Sequence, residues 1–169
     1  LCYNIKKVNK LLGQSVDRLH YDEAWYSYAR FHPLYENFFA MSGDPALHTK
    51  DDPTIFVSQS THKLLAALSQ ASMIHIRYGR NPIEHARFNE SFMMHSSTSP
   101  SYPIIASNDI SCAMMDGPAG QSLIDEAIKE AISFRKTIAK LNVEYSEKGD
   151  WFFGIWQPDF VKDEKTGEK

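Results

Sequence analysis

Cysteine is scarce in this chain: Cys2 and Cys112 are the only two in 169 residues, and neither has a nearby partner in sequence. A disulfide framework is not expected, and with six Met and seven His the chain reads as a reduced, cytoplasmic protein. Charge of one sign is lacking too. Lys plus Arg number 18 against 21 for Asp plus Glu, a net charge of -3, so no long-range field draws in nucleic acid or an anionic membrane, and neither partner is expected. No apolar run reaches the roughly 18 to 20 residues of a membrane helix. Leu1-Cys2-Tyr3-Asn4 has neither a charged leader region nor an initiator Met, so the chain is expected to be an interior piece of something longer. G-x-S-x-G, G-x-G-x-x-G and P-loop sequences are absent, which leaves serine hydrolase, dinucleotide-binding and P-loop chemistry without support. His75, His85 and His95 recur every ten residues, a spacing that fits no metal motif, so no metal is expected.

What is present is ordinary globular composition, 43% hydrophobic and 23% charged, with no internal repeat and one polar tail at 162–169 expected to be solvated. Ile5, Val8, Leu11 and Leu12 share one helical face over 4–13. Arg18-Leu19-His20-Tyr21 is a short strand ending in the acidic pair Asp22-Glu23, followed by an aromatic stretch from Trp25 to Phe39 expected to line a wall. Turn residues fill 43–53, and Thr54-Ile55-Phe56-Val57 has the composition of a buried strand. A polar turn then leads into the apolar run Leu64-Leu65-Ala66-Ala67-Leu68, predicted to be helical, and a further strand is predicted over 72–78. Helices are expected over 103–115 and, after Gly117-Pro118, over 123–141, with a new strand at Trp151-Phe152-Phe153-Gly154-Ile155-Trp156. Alternation of strands and helices predicts an α/β fold with a mostly parallel sheet. Met93-Met94 and Met114-Met115 read as core filler, with Cys112 beside the second pair in a helix and buried.

The most informative tetrapeptide is Ser60-Thr61-His62-Lys63. A strand-to-helix turn offers free backbone N–H groups to a phosphate, and hydroxyls and an imidazole add donors. A lysine held there is placed to form a Schiff base with a carbonyl. In isolation such a tetrapeptide is more often a solvated first turn, and Asp22 alone is more often an exposed turn residue. Together they make up part of what pyridoxal phosphate chemistry requires: a lysine, an acid that keeps the pyridine nitrogen protonated, and a phosphate cup.

Three longer stretches carry a family resemblance. Asp17-Arg18-Leu19-His20-Tyr21-Asp22-Glu23-Ala24-Trp25, the run from Gln59-Ser60-Thr61-His62-Lys63 through Ser72, and Phe88-Asn89-Glu90-Ser91-Phe92-Met93-Met94-His95-Ser96-Ser97-Thr98-Ser99-Pro100 resemble the large bacterial ornithine/lysine/arginine decarboxylases. The resemblance covers nearly the whole chain. It implies the aspartate aminotransferase-like fold, fold type I, with residues 1–146 in the large cofactor-binding domain and 147–169 a linker and the start of an incomplete C-terminal small domain. It also implies pyridoxal 5'-phosphate as cofactor, Lys63 as the cofactor lysine, Asp22 as partner of the pyridine nitrogen and Trp25 near the ring. Ser60 and His62 would lie at the phosphate, and Ser97, where the family often has threonine, would reach the phosphate of a neighbouring subunit. The implied partners are a basic amino acid substrate and a second copy in a homodimer with shared active sites, assembled into a decamer in the family. Residues 80–91, Ala106-Ser107-Asn108-Asp109 and Met114-Met115-Asp116-Gly117 look most like the acid-induced arginine enzymes, which puts arginine first as substrate, then lysine, then ornithine. A non-catalytic regulatory homologue and another fold type I enzyme, such as an aminotransferase, are the rival readings. The 169 residues alone are expected to be inactive.

Overall fold

A computed structural model of the chain describes residues 3–149, 153–156 and 167. Helix α1, Ile5–Leu12, starts where the Asn4 side chain accepts the Lys7 N–H at 3.0 Å, a side-chain cap for one of the orphan donors of the first turn. Its predicted apolar face is only partly used, because Ile5 is buried whereas Leu11 and Leu12 are exposed. Strand β1, Arg18–Asp22, leads into a crossover of short 3-10 turns, Ser27–Phe31, Pro33–Tyr35 and Pro45–Leu47. Within it Tyr26, Tyr28 and Tyr35 meet edge to face, with centroids 5.3–5.7 Å apart. Strand β2, Thr54–Gln59, runs parallel to β1 with Asp22 opposite Ser58.

Helix α2 is only Thr61–Leu64, so the helix expected across Leu64-Leu65-Ala66-Ala67-Leu68 does not form. The backbone N–H and the Nδ1 of His62 both bond the carbonyl of Ala71, at 3.3 and 2.8 Å. Those tertiary bonds fold the segment back on itself, with Gln70 at a positive φ of 74°. A four-residue helix rises only about 6 Å, well short of the roughly 20 Å spanned by a strand of β2's length. Held by the His62–Ala71 bonds, the connection stays at the carboxyl end of β2. Strand β3, Met73–Arg77, re-enters from the same end and pairs antiparallel, with Gln59 opposite Met73. The α/β class stands, but the expected mostly parallel sheet is a small mixed one of three strands, in the order β1-β2-β3.

Three helices follow: α3, His85–Met94; α4, Tyr102–Met115; and α5, Pro118–Ser146. The chain divides into two compact units, Leu1–Ile124 and Asp125–Lys169. The first holds the sheet, the crossover, α1 to α4 and the first turns of α5; the second holds the remainder of α5. The core of the first unit lies on β2, where Ile55 and Val57 are 1% and 0% exposed and pack with Ala40, Tyr21 and Met41. Buried Thr54 is fully partnered, donating to the Arg80 carbonyl at 2.8 Å and accepting the Gly79 N–H at 3.0 Å. Gly79 is required there, since a Cβ would sit 2.3 Å from the Asp52 carbonyl oxygen. The methionine pairs are not core filler: Met93, Met94 and Met114 are more than half exposed. In the second unit Lys148 lies 3.7 Å from Glu144 and 4.5 Å from the centre of the Tyr145 ring. Of the strand expected at 151–156, residues 151 and 152 lie outside the described residues, and 153–156 form no strand. The polar tail, apart from 167, lies outside them as well.

Candidate active site

Both parallel strands point their carboxyl ends to one edge of the sheet, the usual place for a ligand in an open α/β sheet. A cavity of about 420 Å³ opens there, lined among others by Asp22, Glu23, Trp25, Phe38 and Lys63. Asp22 is the last residue of β1 and exposed; its Oδ1 accepts the Ala24 N–H at 3.0 Å, which holds the carboxylate at the turn out of the strand. Lys63, on α2, places its Nζ 4.9 Å from the centre of the Trp25 ring, a cation over an aromatic face. Trp25 is itself 64% exposed. Asp22 and Trp25, three residues apart just after β1, thus share one cavity with Lys63, which lies 38 residues further along the chain.

Ser60 and His62 flank Lys63 but do not line that cavity. Ser60 stands at the N-cap of α2 without capping it through its side chain, and its carbonyl accepts the Lys63 N–H at 3.1 Å. With a helix of one turn, little of the dipole expected for a phosphate site is available. A carbonyl can only accept, so Nδ1 of His62 carries the proton that goes to Ala71. Its Nε2 is then a donor only when the ring is doubly protonated. Ser97 lies in the segment after α3, exposed, and is not among the residues that line the cavity of its own chain.

The sequence marks Glu23 only as the second member of the acidic pair and the next candidate to Asp22 for the acid. Strand alternation sends the two neighbouring carboxylates different ways, so Asp22 is exposed and Glu23 is 6% exposed. Glu23 Oε1 accepts the Ala40 N–H at 2.5 Å, and Oε2 accepts from Gln59 Nε2 at 2.9 Å. Burial pushes its carboxyl above the usual range, against the pull of those two hydrogen bonds. Gln59 in turn meets His75 Nε2 at 3.3 Å, and burial lowers the pKa of that imidazole. The visible signal was the acidic pair itself; its division into one exposed and one buried acid was not in the sequence. Tyr21, whose hydroxyl donates to Asn9 Oδ1 at 2.6 Å, is pushed up to about 12 by burial and then by the Glu23 charge. A second cavity of about 270 Å³ includes Gln59, His75 and Cys112 in its lining. Burial, followed by the charge of Asp109, raises the Cys112 thiol above its ordinary value, which opposes the thiolate a reactive cysteine needs. Among the described residues no group of His, Cys, Asp and Glu is arranged to hold a metal ion.

Residues 1–167 match the family described as Orn/Lys/Arg decarboxylase, major domain. The biodegradative arginine decarboxylase of Escherichia coli is 52% identical over 168 residues, which is 99% of this chain and 22% of that protein. Lysine decarboxylase LdcA of Pseudomonas aeruginosa is 50% identical over 163 residues, 96% of this chain and 21% of that protein. The solved structure of lysine decarboxylase A from Pseudomonas aeruginosa superposes with a TM-score of 0.80 at 50% identity, covering 95% of this chain and 21% of that one. The chain therefore spans about a fifth of the length of the relatives it matches.

Proposed function

The chain belongs to the Orn/Lys/Arg decarboxylase family, and from that premise we propose that the complete protein decarboxylates a basic L-amino acid with pyridoxal 5'-phosphate. In this reading the chain supplies the centre of a fold type I cofactor domain, with residues 1–146 in the large domain and 147–169 leading to the small one. The observation that carries the proposal is the common cavity of Asp22, Trp25 and Lys63. Its donor set fits the cofactor: a primary amine for the carbonyl, a carboxylate for the ring nitrogen, and an aromatic side chain for the flat ring. Bound there, pyridoxal phosphate supplies an electron sink for the pair left when the α-carboxylate departs as carbon dioxide.

The chain's own residues then have separate tasks. Lys63 would hold the cofactor by its carbonyl carbon through Nζ. Asp22 keeps a proton on the ring nitrogen, because a fixed carboxylate favours the positive ring over the neutral one. Trp25 covers part of the cavity wall and limits water at the reacting centre. Ser60 donates to the phosphate, as does His62 through Nε2 when its ring is doubly protonated, and Ser97 reaches the phosphate of a second copy in a homodimer that assembles further. Arginine is the first substrate proposed, on the likeness of residues 80–91, 106–109 and 114–117 to the arginine enzymes. The relatives named for arginine and for lysine, at 52% and 50% identity, support those two substrates equally, and ornithine stands third. No helix among the described residues is long and apolar enough to cross a membrane, and the protein is proposed to act in the cytoplasm. The test is an assay of the complete protein with added cofactor on arginine, lysine and ornithine. Carbon dioxide with agmatine or a diamine is expected; a keto acid or no product overturns the reading.

A further inference from the structure

Glu23 belongs to no role assigned so far, yet it is the most completely buried acid among the described residues and both its oxygens are used. Its place is informative. It follows Asp22 directly, and its own N–H donates to the Ser58 carbonyl at 2.9 Å, so backbone and side chain both tie the end of β1 to β2. The Ala40 bond ties the same point to the crossover. Asp22 therefore leaves the sheet from an anchored peptide, with its carboxylate held by the Ala24 N–H.

The chemistry of the chain beyond Glu23 follows from donor and acceptor counts. An ionised carboxylate only accepts, so Gln59 must present its NH₂ to Glu23 and its carbonyl oxygen to His75. An amide oxygen also only accepts, so Nε2 of His75 must carry a proton. The charge on Glu23 thus selects the tautomer of a histidine on β3 through one amide. From these contacts we propose that Glu23 is a positioning residue of the cavity, fixing the exit of Asp22 from β1 and setting, through Gln59, which nitrogen of His75 is protonated. The positioning half rests on the cofactor reading of Asp22. Among the described residues, the titratable groups that line a cavity with Glu23 are Tyr3, Tyr21, Asp22, Tyr26 and Lys63, and those that line one with Gln59 are Arg30, His75 and Cys112; the crossover adds the Ala40 amide.

Glu23→Gln tests it with little change of shape. The new amide keeps its oxygen on the Ala40 N–H and turns its NH₂ toward Gln59. Gln59 must then rotate to offer oxygen, which puts its own NH₂ against His75 and requires Nε2 to accept. In the complete protein without cofactor, carrying ring-¹⁵N histidine and with His75 assigned from its loss in His75→Gln, the wild type is expected to show the Nε2–H form and Glu23→Gln the Nδ1–H form. The same tautomer in both overturns the relay. If Glu23→Gln fails to accumulate, Gln59→Met cuts the link and leaves the Ala40 bond; His75 should then lose its single tautomer, and an unchanged one overturns the relay equally. With cofactor, Glu23→Gln should lower kcat about tenfold with KM within about twofold, since an imprecisely held Asp22 is felt most as charge moves into the ring. Wild-type kcat in Glu23→Gln beside a strongly impaired Asp22→Asn overturns the positioning role alone. Wild-type kcat in both overturns the cofactor reading of Asp22 and the positioning half with it.

Discussion

The sheet and the helices that follow it treat their apolar side chains in opposite ways. On β2, Ile55 and Val57 are sealed, the buried Thr54 is fully bonded, and the neighbouring Glu23 has both oxygens occupied. On α3 and α4, Phe92, Met93, Met94, Ile105, Ile110 and Met114 all stand more than half exposed. Apolar surface left in water forgoes about 25 cal/mol per Å², so β2 is closed within this chain, whereas α3 and α4, like Ile74 on β3 at 53% exposed, are not. Asp22 and Lys63 sit at the carboxyl end of the sealed strand and its parallel neighbour, whereas Ser97 lies in the exposed segment after α3. A reacting centre needs groups held by packing that does not shift, and only the strand ends with their crossover provide it here.

The largest expected effect tests the chemical side of that contrast. Lys63→Ala in the complete protein should lower turnover by about 10³-fold or more, because no neighbouring amine can replace the nucleophile. Borohydride reduction with cofactor and peptide mapping checks the assignment, and a label on Lys50 instead would move the site away from the cavity.

Packing provides the next test. Ile55→Ala should cost about 2–5 kcal/mol of stability by emptying a closed core, whereas Met94→Ala, at a position 78% exposed, should stay within about 0.5 kcal/mol in the 169-residue chain. Urea unfolding measures both. If Met94→Ala becomes as costly as Ile55→Ala in the complete protein, the exposed face of α3 is covered there and the contrast is a property of this stretch alone.

Ser97→Ala should weaken cofactor retention in the complete protein by about 1.5–3 kcal/mol, the contribution of one hydrogen bond to a charged group. Unchanged dissociation of the cofactor would remove the role proposed for Ser97 across subunits.

The smallest effect concerns Tyr21. Its folded-state value of about 12 lies above the ordinary 10.0, so the folded chain holds this proton more tightly than the unfolded one. The resulting stabilisation is complete below pH 10 and is lost as pH rises through about 12. Tyr21→Phe should flatten the alkaline fall in stability over that window, and an unaltered pH profile would show that the ring is solvated.

Much of the local structure was legible. The spaced apolar residues of α1, Gly117-Pro118 between α4 and α5, and the β-rich runs of β1 to β3 each carry a local signal that the structure follows. Leu64-Leu65-Ala66-Ala67-Leu68 was misread because a short apolar run has no period of its own, and the bonds from His62 to Ala71 decide its course. The methionine pairs were misread as core because hydrophobicity states a preference for burial without supplying the surface that would bury them.

The sequence by itself determined the family and most of the element types, and it offered the side chains proposed for chemistry, since each depends on residue identity over short windows. Only the tertiary structure decided that β3 runs against β2, that Trp25 and Lys63 stand face to face, and that of two adjacent acids one meets solvent while the other is enclosed. Those outcomes depend on long-range pairing: a single strand alternates its side chains between two faces, and which face is closed is set by the segments that return to cover it.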